Sequence, residues 1–225
     1  GQAAGLRYEA QLPARGLPPP WPVLLFLHGI GERGSADGQD LHRVRQHGPW
    51  KGPGAEQFLI VAPQCPSGSL WPSLVGELIE LLRRIGEEFV VDAARLYVTG
   101  LSMGGFGAWA LLSSRPDLFA AAVIICGAFS PAAPKDLKQS TLLARARQPV
   151  MEQEVRALRN LPVWLFHGGR DKIVDVQGSR SVYEALGGDS RGEALRLRII
   201  EEGAHTVWGQ VYRTPEVYTW LLSYR

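Results

Sequence analysis

The sequence predicts an α/β fold, with a mostly parallel sheet of about seven strands and helices on both faces. Three observations predict it. Residues 23–27 and 58–62 are apolar at every position, as strands covered on both sides are. Such runs are separated mostly by helix-length stretches, which crossovers between parallel strands require. Finally, the strand-like run ending at Thr99 passes into a helix-length run across Gly100-Leu101-Ser102-Met103-Gly104, with almost no loop between them.

Taken in order, residues 6–12 alternate apolar and polar. They predict a half-exposed antiparallel strand at a sheet edge. Residues 13–20 hold four prolines and end it. Residues 23–27 are a buried strand, and residues 28–34 leave it as a glycine-rich loop. Residues 35–57 are polar and rich in Gly and Pro, with a short helix near 41–46 as their one readable element. Residues 58–62 are the next buried strand, and residues 63–72 a loop with Trp71 near its end.

Val75, Leu78, Ile79, Leu82, Ile85 and Phe89 fall at helical spacing between charged residues, which predicts an amphipathic helix over one sheet face. Residues 96–99 are a strand. The helix over 103–114 is apolar all round, hence buried, and stops before Pro116. Residues 120–126 are another strand. After this sixth-strand region the rhythm breaks. Ser130-Pro131-Ala132-Ala133-Pro134 opens a charged insertion, and residues 151–158 read as a helix. Strands at 162–166 and 195–200 flank a helix over 176–186. Thr214 and Pro215, a cap residue and a proline at the first helical position, start a closing helix through 222. Residues 1–225 are read as a single domain, with 130–160 as a cap or rim insertion.

Composition is that of an ordinary soluble globular protein. The net charge of +2 is too small to argue for nucleic acid or an anionic membrane. No run of 18 apolar residues offers a membrane span. Cys65 and Cys126 lie far apart without metal-type spacing. Cys126 reads as a buried thiol, and a disulfide between the two is not expected. The chain starts at Gly1, compatible with a removed leader or a tag scar, so its compartment stays open. Twenty Arg against four Lys and one Asn are compatible with heat adaptation, which sets an expectation of a high melting temperature.

The chemistry is expected beyond the carboxyl ends of the strands, where sites gather in open α/β sheets. The strand-to-helix turn projects the Ser102 hydroxyl past the sheet and aims the Met103 N–H at any oxyanion formed there. A serine needs a base, and a histidine needs an acid to fix its tautomer. His205 comes after the last strand in a loop led by Gly203, and is the expected base. His28 and His167, each beside a glycine at a strand end, are expected to be structural; His42 and His47 lie in the unreadable loop. Asp171 is the expected acid, being nearer its strand end than Asp175. Asp175 has a sufficient role as the cap of the next helix, and the bland alternative for Asp171 is a salt bridge with Arg170 or Lys172. The second oxyanion donor is expected to be Ile30 N–H. Trp71 and Trp208 are candidate pocket walls. No His or Cys pair has metal-ligand spacing, so no metal is expected.

His28-Gly29-Ile30-Gly31-Glu32-Arg33-Gly34, Ala62-Pro63-Gln64-Cys65-Pro66, Gly100-Leu101-Ser102-Met103-Gly104-Gly105, the loop with Asp171, and Gly203-Ala204-His205 together resemble an α/β-hydrolase. More narrowly, they are similar to the small serine carboxylesterases grouped as predicted peptidases, prolyl-oligopeptidase-like and dienelactone-hydrolase-like hydrolases. The resemblance runs from about residue 23 to 225. It implies Ser102 as nucleophile, Asp171 as acid, His205 as base, and Ile30 and Met103 N–H groups as oxyanion hole. It also implies an acyl-enzyme intermediate on a small-molecule ester, without a cofactor. Three departures stand out: Ser102 where dienelactone hydrolases proper carry Cys, Asp175 where many relatives carry Pro, and a longer segment over 130–160. A serine peptidase and a polyester or aryl-ester hydrolase share the same machinery. Peptidase relatives gain selectivity from a further domain for which this length leaves no room. A catalytically silent binding protein is the alternative of another class, disfavoured because every triad position holds a competent residue.

Overall fold

The strand β3 (Trp21–Leu27) divides two cores between its alternate side chains. Val23, Leu25 and Leu27 join one apolar cluster, and Leu24 and Phe26 join the other. Successive side chains of a strand point to opposite faces, so a continuous apolar run is what a strand buried on both sides needs. The computed structural model describes residues 1–35 and 39–225. Residues 36–38, within the loop that the sequence leaves unassigned, lie outside the described residues.

Among the described residues, eight strands form one sheet. Besides β3 they are β1 (Gln2–Ala3), β2 (Leu6–Gln11), β4 (Leu59–Pro63), β5 (Val91–Leu101), β6 (Ala121–Ile125), β7 (Val163–Gly168) and β8 (Leu195–Ile200). Their order is β1-β2-β4-β3-β5-β6-β7-β8. From β4 to β8 all neighbours are parallel, while β2 runs antiparallel to β4 and β1 antiparallel to β2. The eighth strand is β1, whose two residues are too short to show any periodicity. β5 starts five residues earlier than its apolar run suggests. Val91 pairs with Trp21 before a register shift, and the regular ladder begins at Val23 with Leu96.

Helices cover both faces. On one lie α1 (Val75–Glu88) and α2 (Met103–Ser114), succeeded in the chain by α3 (Gln139–Arg145) and α4 (Gln177–Ala185). α1 buries Val75, Leu78, Leu81 and Ile85 and turns its charged side to water, where Glu80 holds Arg83 and Arg84. α2 is buried from Met103 to Leu112. The other face carries α5 (Trp208–Val211) and α6 (Pro215–Leu222). Thr214 and Pro215 do start α6, yet the Thr214 hydroxyl donates back to Gln210 O rather than capping the helix. No helix among the described residues is long and apolar enough to cross a membrane. Cys65 and Cys126 are both buried and unpaired.

The helix expected over 151–158 is instead two single 3-10 turns, Glu152–Glu154 and Arg156–Leu158. Between them Val155 sits at φ −108°, ψ 7°, outside the helical range. Within the insertion, Ser130, Leu142 of α3, Ala146, Val155 and Leu158 are buried, and the rest of α3 is half-buried or exposed.

Candidate active site

At the end of β5 the chain makes the turn that the glycines permit. Ser102 has φ 52° and ψ −119°, a conformation costing about 1–3 kcal/mol for a residue with a side chain. Its N–H donates to Ile125 O of β6 at 2.9 Å, and its carbonyl accepts from Gly105 N–H at 2.8 Å. The strain is thus held from both sides. A Cβ on Gly104 would lie 1.9 Å from Leu27 O, and one on Gly100 would lie 2.2 Å from Gly104 O. Only glycine lets α2 sit this close to the sheet.

Ser102 Oγ lies 2.8 Å from His205 Nε2, and His205 Nδ1 lies 2.6 Å from Asp171 Oδ2. The carboxylate oxygen only accepts, so Nδ1 carries the proton and the Nε2 lone pair faces the serine hydroxyl. Asp171 and His205 occupy the loops after β7 and β8, joined by the ladder that ends with Gly168 opposite Ile200. The Asp171 side chain is wholly buried. Burial alone would raise its carboxyl. Hydrogen bonds from His167, His205, Ile173 N–H and Val174 N–H outweigh that and hold it well below the usual carboxylate range. Asp175 does what its helix-cap reading says: its Oδ1 accepts from Gln177 N–H at 2.9 Å.

Ile30 opens a 3-10 turn, Ile30–Glu32, and Met103 opens α2. The first N–H groups of a helix have no acceptor within it. Both residues line one cavity together with Ser102 and His205. The Ile30 loop is pinned by His28. Its Nε2 accepts from Cys65 N–H at 3.0 Å, so its Nδ1–H donates to Gly29 O at 2.6 Å. Burial lowers the pKa of His28 to about 4, which keeps the ring neutral and this tautomer fixed.

The cavity holds about 340 Å³. Leu70, Leu101, Met103, Phe106, Ile173 and Val174 line it together with Gln139, Leu142 and Leu143 of the insertion. Trp208 lines it and meets the His205 ring edge-to-face, with centroids 5.4 Å apart and planes at 90°. Trp71 does not line it, which corrects its reading as a wall. It is fully buried under the His28 loop, with Nε1–H donating to His28 O at 3.0 Å, and its neighbour Leu70 reaches the cavity instead. The 3-10 turn Trp71–Ser73 presses the indole onto α2, where it fills the space a side chain on Gly107 would need.

Two titratable cavity residues were given no role from the sequence. Glu32 is buried and its carboxyl is raised by that burial; His47 Nε2 stands 3.5 Å from it. An acid inside a glycine-rich strand-exit loop was the available signal for Glu32. His47 lies in the unreadable loop and had none. Cys126 Sγ, an Asp171 oxygen and a His205 nitrogen fall within 4.8 Å of one another. The chemistry does not suit a cation: burial pushes the Cys126 thiol up to about 12, and the facing Asp171 and His205 atoms already bond each other.

The family model of the prolyl oligopeptidase family matches residues 74–224. No curated protein matches the sequence. Among solved structures, a thermostable esterase is 27% identical with a TM-score of 0.76. The alignment covers 97% of this chain and 59% of that one, so this chain spans little more than half the esterase's length. TT1662 from Thermus thermophilus is 23% identical with a TM-score of 0.64, covering 97% and 95% of the two chains. An acetyl xylan esterase from Aspergillus awamori is 15% identical with a TM-score of 0.70, covering 96% and 95%. The last two likenesses speak for the fold alone. With its strand order and a family match over two thirds of its length, the chain has the α/β-hydrolase fold and belongs to the prolyl oligopeptidase family.

Proposed function

We propose that the protein is a carboxylesterase in which Ser102 is the nucleophile, His205 the base and Asp171 the acid. The observation that carries this reading is the continuous line of contacts Ser102 Oγ–His205 Nε2, 2.8 Å, and His205 Nδ1–Asp171 Oδ2, 2.6 Å, opening on an apolar cavity. Ser102 Oγ attacks the ester carbonyl while His205 Nε2 takes its proton. The tetrahedral oxyanion is held by Ile30 and Met103 N–H groups at two helix starts. His205 returns the proton to the leaving alcohol. Water then repeats the sequence on the acyl-enzyme, activated by the same imidazole, and frees the acid.

An ester is favoured over a peptide by the shape of the site. The cavity of about 340 Å³, lined in part by α3 and mostly by apolar side chains, suits one apolar acyl group rather than an extended chain. The esterase likeness at 27% identity supports the same choice. Burst kinetics with p-nitrophenyl acetate and octanoate, beside the matching p-nitroanilides, test it. Ester turnover that disappears in Ser102→Ala is expected. Preferential cleavage of the anilides would turn the assignment to a peptidase, and no turnover of either by folded protein would turn it to a silent scaffold.

A further inference from the structure

The Asp171 carboxylate carries a second imidazole. His167 lies on β7, four residues before Asp171, with its ring wholly buried. Its Nε2 is 3.2 Å from Asp171 Oδ2, the same oxygen that accepts from His205 Nδ1. That Nε2 also lies 3.1 Å from Val174 O. Both neighbours only accept, so Nε2 carries a proton whatever the charge of the ring. On the far side Nδ1 faces Ser179 Oγ of α4 at 2.7 Å, a hydroxyl that serves as donor or acceptor. Asp171 Oδ1 meanwhile accepts from Ile173 N–H at 2.8 Å and Val174 N–H at 3.0 Å, which keeps the carboxylate from rotating.

We propose that His167 is a positioning residue of the reaction: its Nε2–H shares the Asp171 Oδ2 charge with His205 and fixes the oxygen that sets the His205 tautomer. Three titratable groups face this carboxylate from three elements, namely His167 on β7, His205 after β8 and the Cys126 thiol after β6. Arg170 turns away to Glu202 at the surface. His167 and His205 both hold the Asp171 carboxyl down against the effect of its burial. With that donor gone, the charge on Oδ2 falls on His205 alone, the imidazolium is favoured, and the base becomes neutral only at higher pH.

The inference rests on the catalytic reading of Ser102, His205 and Asp171, and its test separates the two. His167→Phe removes the donor and His167→Gln offers an amide N–H at the place of Nε2. In His167→Phe, kcat is expected to fall about tenfold, the loss of one hydrogen bond to a charged group, with KM nearly kept. The acid limb of its kcat/KM profile is expected to move to higher pH by about one unit. His167→Gln is expected to recover most of both. An unmoved acid limb, with Gln no better than Phe, overturns the proposal. Should the Phe variant fail to fold, nitrogen-15 resonances of the unaltered protein decide. Protonating His205 is expected to shift His167 Nε2 in step, and an indifferent His167 overturns the proposal. Full esterase activity in Ser102→Ala would instead sink the catalytic reading beneath it.

Discussion

The two sides of the cavity are built differently. Ser102, Asp171 and His205 leave the ends of β5, β7 and β8, strands of one parallel ladder with β6 between the first two. Ser102 is bonded to β6, Asp171 receives two backbone N–H groups, and His205 is aligned between them. Another part of the lining is α3, seven residues with Leu142 as its one buried side chain. The segment just after α3 is held by Ala146, packed where a side chain on Gly178 would go, and by Val150 N–H donating to Ser181 Oγ at 2.6 Å. The proposed reactive groups are held many times over by the sheet, whereas α3 is held by a few contacts. Substitutions on the sheet side should change the rate for every ester; substitutions on α3 should change which ester is preferred.

The sharpest break on the sheet side is Ser102→Ala, expected to lower kcat on any ester by about 10⁶-fold while leaving the fold intact. Retained turnover with an unchanged circular dichroism spectrum would refute the assignment. Next is Asp171→Asn, which leaves the shape but inverts the hydrogen-bond sense toward His205 Nδ1; about 10⁴-fold in kcat is expected. This variant has a second signature. The native carboxyl is held below its unfolded value. Its contribution to stability is therefore complete above the unfolded Asp range, ~3.9, and is lost as pH falls toward the native value. Urea unfolding at pH 7 and pH 3 is expected to show Asp171→Asn clearly weaker than the unaltered protein at pH 7 and closer to it at pH 3. An equal deficit at both would show that packing, not charge, holds this loop.

The same contrast explains how much of the molecule was legible in the sequence. The sheet side is written in contiguous signals: an apolar run, then a glycine, then the candidate residue. Ser102, Asp171 and His205 each obey that grammar, and the structure brings them together; Ile30 and Met103 likewise face the shared cavity. Asp175 was separable from Asp171 because a capping acid directly before a helix has a local task, which it performs. α3 was not legible, since a short and mostly exposed helix carries almost no apolar periodicity. Trp71 misled for a related reason. A loop position near the site does not say whether the ring points into the cavity or under the loop, and here the 3-10 turn sends it under. His167 was read as structural from its place beside a glycine. Nothing local states that its ring reaches the carboxylate four residues on.

On the α3 side, Leu142→Ala is expected to lengthen the cavity. The ratio of kcat/KM for octanoate over acetate p-nitrophenyl esters should rise roughly tenfold, the worth of about one well-placed methylene or more. Acetate turnover should stay within a few-fold of normal, because no contact to Ser102, His205 or Asp171 is lost. Leu142 is buried, so some loss of stability accompanies the change, about 2–5 kcal/mol at most for such a truncation. An unaltered chain-length ratio in a folded variant would mean that acyl groups do not lie against α3.

The smallest expected effect lies where the two sides meet, at Trp208. Its ring touches His205 edge-to-face at 5.4 Å and His47 at 5.6 Å with planes tilted by 47°. The contact with His205 is worth about 0.5–1.5 kcal/mol by analogy with aromatic pairs. It should matter most when His205 is an imidazolium, since a cation is drawn to an aromatic ring more strongly than a neutral partner. In the proposed reaction that state exists only while Ser102 has given up its proton. Trp208→Ala is therefore expected to lower kcat about 2- to 10-fold with little change in KM for acetate esters. Trp208→Phe, which keeps an aromatic ring, should restore most of the loss. If KM for the longer esters rises instead and kcat holds, the indole acts on the acyl chain, as α3 does, and belongs to the substrate side of the cavity.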